Sequence, residues 1–220
     1  MKLKELESRL QDLTGFDKPR IELEQYETQP HLAARILYTI EQSYGDIAGK
    51  MVADLGCGPG RLTIGSALLD ADFVYGLDID PVALKLFTRN SNEADVDNVE
   101  AVLMDVTTIS DSADGGRMSG LFDTVILNPP FGTKGNKGID VQFLQAALRL
   151  SSHAVYSFHK TTTREYLMTR AAKDWDVEMS VVAEMKFDLP QSYARHKRAS
   201  VDVAVDLLRT VHRTKTKENT

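Results

Sequence analysis

With 220 residues, 42% apolar and 26% charged, and a net charge of −6, the chain has the size and composition of one soluble globular unit able to bury a core without metals or crosslinks. Its apolar runs are strand-length, which leaves no membrane span, and its charged amphipathic start, Met1 to Leu10, lacks the apolar stretch of a secretory signal. One cysteine, Cys57, permits neither an internal disulfide nor a cysteine-built zinc site, and it points to a reducing intracellular compartment.

Leu3, Leu6, Leu10 and Leu13 recur at helical spacing in an opening amphipathic helix, which the run from Gly15 to Pro19 stops. Pro30, a favourable first-turn residue, starts a second helix with Leu32, Ile36, Leu37 and Ile40 on one face. From Met51 onward short apolar runs alternate with helical segments. Strands are predicted at 51–55, 73–78, 99–104, 122–128 and 154–159, and helices at about 60–70, 81–94, 139–151 and 162–174. Two long strand-like runs, 177–189 and 200–209, follow with no helix between them. Alternating strands and helices imply a parallel doubly wound sheet, and two successive closing strands imply an added antiparallel hairpin. The expectation is an α/β fold whose sheet resembles that of a Rossmann-like class I methyltransferase. It has a seven-stranded, mostly parallel sheet with a C-terminal antiparallel hairpin and extra N-terminal helices. Residues 1–212 form a single domain, with 1–45 as helical extension and 46–212 as core. The stretch 111–117 reads as a flexible loop and 213–220 as a disordered tail.

Asp54-Leu-Gly-Cys-Gly-Pro-Gly60 closes the first strand of the core. Gly56 and Gly58 allow a sharp turn and a close backbone approach to a ligand. With Gly60 they fall one residue short of the dinucleotide spacing. The acidic residue two positions before the first glycine suits an ammonium group better than a pyrophosphate, which favours S-adenosylmethionine over NAD. Asp78, ending the second strand, can accept both ribose hydroxyls, and Asp105, ending the third, can accept from an adenine amino group. Acidic residues at strand ends are common singly; three in register with the glycine turn are not. Cys57 reads as a small filler.

Asn128-Pro-Pro-Phe131 follows the fourth strand, at the carboxyl edge where such sheets bind ligands. An arylamine is a weak nucleophile because its lone pair is delocalised into the ring. Hydrogen bonds from its protons to the Asn128 side-chain oxygen and the Pro129 carbonyl would localise that pair and aim it at a sulfonium methyl. Pro129 and Pro130 stiffen the backbone, and Phe131 can stack on a flat substrate. No metal and no nucleophilic side chain is required.

These motifs together resemble the methyltransferase-like family that modifies adenine N6 in eukaryotic small-subunit (18S) ribosomal RNA. The resemblance covers nearly the whole chain. Besides Val52 to Gly58 and Asn128 to Lys134, it rests on Lys4 to Leu10, Leu23 to Thr28 and Phe187 to Pro190. It implies that Gln25 and Thr28 reach over the cofactor, joining Gly56, Pro59, Arg61, Asp78, Asp105 and Val106. Taken alone, Thr28 reads as a helix starter. The family commonly carries Pro where Glu27 stands and a different residue at Pro59. The resemblance also implies a small zinc-ribbon activator subunit and residence in the nucleus, nucleolus and cytoplasm.

A related site methylates the amide of glutamine in release factors, and DNA adenine is a further substrate compatible with the motif. A noncatalytic RNA-binding scaffold would have no need of Asp54, Asp78 and Asn128. Charge distribution favours RNA: residues 1–120 hold 11 Lys and Arg against 21 Asp and Glu, residues 121–220 hold 15 against 11. Lys134 and Lys137 follow the catalytic loop, and Arg195, Lys197 and Arg198 lie between the last two strands, where they can grip phosphate or form a solvated loop. His159 and Lys160 are compatible with substrate contact or with none. The third strand, Asn98 to Met104, is apolar on both faces, without Lys or Pro, and is expected at a sheet edge where the activator could add a strand.

Overall fold

The computed structural model describes residues 1–109, 118–132, 135–190 and 200–213. The predicted loop at 111–117 and nearly all of the predicted tail lie outside these residues. Seven strands form one sheet: β1 Met51–Leu55, β2 Phe73–Asp78, β3 Val99–Leu103, β4 Phe122–Leu127, β5 Ser151–Lys160, β6 Val177–Pro190 and β7 Ser200–His212. Their order is β3-β2-β1-β4-β5-β7-β6. The first five run parallel, and β7 inserts antiparallel between β5 and β6. Strand β7 extends beyond its expected limit by pairing with β5, Thr210 with Val155 and Val211 with Ala154, while β5 gains Lys160 opposite Val205 and Ser151 opposite Phe122 of β4. The long helices are α1 Leu3–Gln11, α2 Pro30–Tyr44, α3 Arg61–Leu68, α4 Pro81–Glu93, α5 Ile139–Leu150 and α6 Arg164–Lys173.

Successive side chains of a strand point to opposite faces, so the parallel strands must be apolar on both. Val52, Val74 and Ile126 face one layer, which contains Leu6 and Leu10 of α1, Leu37 and Ile40 of α2, Ile64 of α3 and Phe87 of α4. Ala53, Leu55, Val125 and Leu127 face the other, packed on Phe143, Leu144 and Ala147 of α5 and Leu167 of α6. The two N-terminal helices therefore share a core with the sheet.

Behind α2 the chain passes through Asp46, which is buried beside β5 and β7. Its carboxylate accepts from the Tyr156 hydroxyl at 2.6 Å and from Arg209 at 3.0 and 3.1 Å, with His153 Nε2 at 3.1 Å. Its carbonyl accepts from the Thr124 hydroxyl at 2.7 Å, and the Arg209 guanidinium lies 4.6 Å from the Tyr44 ring. This hub joins the end of the helical extension to the strands that close the sheet. Removing one side of a buried ion pair strands the other charge. Asp46→Ala is expected to destabilise the fold by about 3–5 kcal/mol; a denaturant midpoint close to that of the parent would show that the hub is dispensable.

Candidate active site

Strands β1 to β4 end around a cavity of about 430 Å³, a volume suited to a small-molecule ligand. Its floor is the turn after β1, where the backbone N–H groups of Gly56 and Cys57 both donate to the Leu77 carbonyl, at 2.8 and 3.0 Å. The Gly58 N–H donates to one oxygen of Asp78 at 2.8 Å, and the Asp80 N–H donates to the other at 2.8 Å. The Asp78 carboxylate is thus fixed in place, and each oxygen keeps capacity for a hydroxyl. Burial pushes its pKa up. Asp54, 2% exposed, accepts from the Thr63 hydroxyl at 2.7 Å. Burial raises its pKa to about 7. A carboxylate so enclosed needs a cation to remain charged.

Asp105 stands exposed at the rim, one oxygen engaged by the N–H and hydroxyl of Thr107 at 3.0 and 2.6 Å. Val106 with Leu77, Ile79, Met104 and Phe143 supplies an apolar wall. Gly60 does not line the cavity. A Cβ there would lie 2.2 Å from the Phe87 ring, and its φ of +87° starts α3, so this glycine serves packing. Pro59 and Arg61 do line it, but the Pro59 carbonyl and both terminal nitrogens of Arg61 are engaged elsewhere. The Pro59 carbonyl accepts from Asn90 at 2.9 Å. The Arg61 guanidinium donates to the Leu10 and Leu13 carbonyls and pairs with Glu27 at 2.7 Å. Glu27 also accepts from the Phe16 N–H at 2.5 Å. The sequence departure at Glu27 is therefore answered by Arg61, which anchors the N-terminal segment.

That segment, residues 14–28, lies across the mouth of the cavity as a strap. Gln25 donates to Asp80 at 2.7 Å and accepts from the Arg20 N–H at 2.8 Å, so both ends of its amide are engaged. Asn90 exchanges two bonds with Thr14, at 2.9 and 3.1 Å. Phe16, Glu24, Tyr26 and Glu27 all line the cavity; none carried a signal in the core motifs, because they reach it from a distant part of the chain.

At the end of β4, the Asn128 amide donates to the Thr28 hydroxyl at 3.1 Å. Its Oδ1 is buried and has no hydrogen-bond partner among the described residues. Such an acceptor is costly unless a ligand donates to it. The Pro129 carbonyl accepts from the Tyr26 hydroxyl at 2.8 Å, and the Phe131 N–H donates to Glu24 at 3.1 Å. Phe131, expected to offer a free face, is 8% exposed. Tyr26 packs on it at 5.2 Å between ring centroids and the Lys160 ammonium lies 5.5 Å from its centre. Tyr26 and Pro130 form the wall instead, with Asn136 and Lys137 beyond them. His159 is fully buried with Nδ1 3.3 Å from Asp140, which removes it from any RNA-contacting surface. Lys134, Arg195, Lys197 and Arg198 lie outside the described residues. An enclosed carboxylate, a second carboxylate at the next strand end, an apolar slot and an unfilled acceptor beside them match the ammonium, ribose and adenine of S-adenosylmethionine with an amine substrate alongside.

A family model for ribosomal protein L11 methyltransferase matches residues 33–128, the cofactor-bearing part as far as Asn128. The chain is 30% identical to the crystallised Pyrococcus horikoshii protein PH1948, assigned as an RNA methyltransferase, with 99% of each chain covered and a TM-score of 0.81. It is 45% identical to the Drosophila melanogaster rRNA N6-adenosine-methyltransferase Mettl5, over 95% of this chain and 96% of that one. Identity to the Danio rerio rRNA N6-adenosine-methyltransferase METTL5 reaches 53%, over 95% of this chain and 98% of that one. By fold, site and full-length similarity, the chain belongs to the METTL5 family of rRNA N6-adenosine methyltransferases, which use S-adenosylmethionine as methyl donor.

Proposed function

We propose that this enzyme methylates N6 of an adenine in small-subunit ribosomal RNA, with Asn128 Oδ1 and the Pro129 carbonyl as paired acceptors for the amino protons. The observation that carries this reading is the buried, unpartnered Asn128 oxygen beside the cavity. Bound S-adenosylmethionine supplies an electrophilic methyl on a sulfonium sulfur. Asp54 would hold its ammonium, Asp78 its ribose, and Asp105 with the slot beside Val106 its adenine. Gly56 and Gly58 would bring the turn against it, and Gln25 would close over it through Asp80. Asn128 and Pro129 would accept hydrogen bonds from the two N6–H groups, concentrating the lone pair on nitrogen and orienting it, in a site whose dipoles are set before substrate arrives. As the N–C bond forms the S–C bond breaks, and the methylated nitrogen, cationic at that moment, sheds one proton to solvent. Lys137 and Lys160, beside the loop, would meet RNA phosphate together with Lys134, Arg195, Lys197 and Arg198.

A zinc-ribbon activator on β3 belongs to the same reading. Strand β3 is terminal in the sheet, its Leu103 is 61% exposed, and Ile79 and Val82, just past β2, are exposed at 52% and 68%. Asn98 O accepts from Val74 N–H and Met104 N–H donates to Asp78 O. Even-numbered residues therefore bond inward to β2, and the groups of 99, 101 and 103 face outward, open to an added strand.

With isolated ribosomal subunits and labelled donor, followed by digestion to nucleosides, label is expected as N6-methyladenosine in the small-subunit RNA. Asn128→Ala should slow this at least about a hundredfold with donor affinity unchanged; label in protein or large-subunit RNA, or an undiminished rate in the variant, refutes the assignment. Donor binding should depend on pH through Asp54. In the free protein this carboxyl has a pKa of about 7, and the ammonium selects its ionised form. Affinity is then fully present above about pH 7 and falls by roughly tenfold per unit below it, with a proton released on binding. Calorimetry in two buffers from pH 5.5 to 8 measures this, and an Asp54→Asn variant should lose the slope. For the activator, Ala101→Pro removes an outward N–H and should abolish co-purification, whereas a complex that survives places the partner elsewhere.

A further inference from the structure

The Asn128-Pro129-Pro130 turn is stiff but has few ties of its own. Two consecutive prolines fix two φ angles and narrow the rotation that orients the Pro129 carbonyl, but they remove two backbone donors that could fasten the turn to its surroundings. An acceptor that must meet one proton of an amine while Asn128 meets the other needs the stiff turn held at one place as a whole. The structure supplies the restraint from the strap. The Tyr26 hydroxyl donates to the Pro129 carbonyl at 2.8 Å. The Tyr26 ring packs on Phe131 at 5.2 Å with the planes 31° apart. Two residues to either side, the same strap reaches the same turn: Glu24 accepts from the Phe131 N–H and Thr28 accepts from the Asn128 amide, each at 3.1 Å.

We propose that Tyr26 is the positioning residue for methyl transfer, its hydroxyl setting the Pro129 carbonyl and its ring setting Phe131. This rests on the reading of Asn128 and Pro129 as paired acceptors. A carbonyl oxygen has two lone pairs, so the Tyr26 bond occupies one and leaves the other for the amine. Burial, then the charges of Glu24 and Asp140, push the Tyr26 pKa well above its ordinary value, which keeps the hydroxyl a donor at any working pH. The arrangement also explains why a strap residue more than 100 positions away in sequence comes to line the cavity. It converts closure of the strap over the cofactor into alignment of the acceptors.

Tyr26→Phe deletes the donor and keeps the ring. Its kcat is expected to fall about ten- to a hundredfold, the scale of a misplacement of about 1 Å. The KM for RNA, the donor affinity and the thermal midpoint should stay near the parent values. In the double variant with Asn128→Ala, the rate should be no lower than with Asn128→Ala alone, because both act on one geometry. A Tyr26→Phe enzyme at full rate overturns the proposal. So does a loss matched by falling stability or donor affinity, which assigns Tyr26 to holding the fold, and so does full additivity with Asn128→Ala. If Asn128→Ala itself keeps the full rate, the paired-acceptor reading fails and takes this role with it. An impaired Asn128→Ala beside an unimpaired Tyr26→Phe removes only the role of Tyr26.

Discussion

The turn between β1 and α3 is pinned to the end of β2, and the site depends on that joint. Two N–H groups of the turn converge on the Leu77 carbonyl and a third on Asp78. None of these bonds tolerates a different path, and Gly60 completes the turn where a Cβ would strike Phe87. The consequence is that Asp54 and Asp78, from adjacent parallel strands, present carboxylates to one cavity at a fixed separation. Asp54 is buried and Asp78 half-buried, and desolvation raises the pKa of both. The fold holds them there because the strands on which they stand are locked on both faces by apolar packing. Unfavourable burial of acid is thus sustained by the core and offset when a cation arrives.

The N-terminal segment binds the two halves of this site together. At one end it is held by Arg61 and Asn90, from the first helices beyond the glycine turn. At the other, it touches the turn after β4 through Glu24, Tyr26 and Thr28. Between them Gln25 reaches Asp80, two residues past Asp78. Residues before the sheet are therefore part of the site, and the strap would need to move for a cofactor to exchange. The Glu27–Arg61 pair, with both side chains largely enclosed, is the strongest of these fastenings, since breaking it would leave a buried charge alone.

Most of the fold was legible because its signals are local. Apolar strands of five or six residues alternated with helices at 3.6-residue spacing, and strands β1 and β2 fell at the expected limits. The three aspartates and Asn128 could be found because each ends a strand, and strand ends of a parallel sheet share one edge. Gly60, Phe131 and His159 misled for a common reason: residue type and position in a motif do not tell which way a side chain points. Gly60 turned to Phe87, Phe131 beneath Tyr26, and His159 to Asp140. Tyr26 went unread by contrast: the resemblance at Leu23 to Thr28 implied that Gln25 and Thr28 reach over the cofactor, but nothing there states that the tyrosine between them returns to β4. That contact is a long-range event, encoded in how Arg61 and Asn90 hold the strap rather than in any periodic pattern.

The uneven charge of the chain now has a structural counterpart. The acidic first half supplies Glu22, Glu24, Glu27, Asp54, Asp78 and Asp105 to the cavity, whereas Lys137 and Lys160, from the basic half, stand at or beside it past the catalytic loop. On the proposed function, a methyl donor carrying sulfonium and ammonium charges would be drawn to the first group, and RNA phosphate to the second. The amine would meet both fields at Asn128 and Pro129, where it must be neutral to react and becomes cationic as the new bond forms. Held by the Tyr26 hydroxyl, the Pro129 carbonyl would present its second lone pair at that boundary.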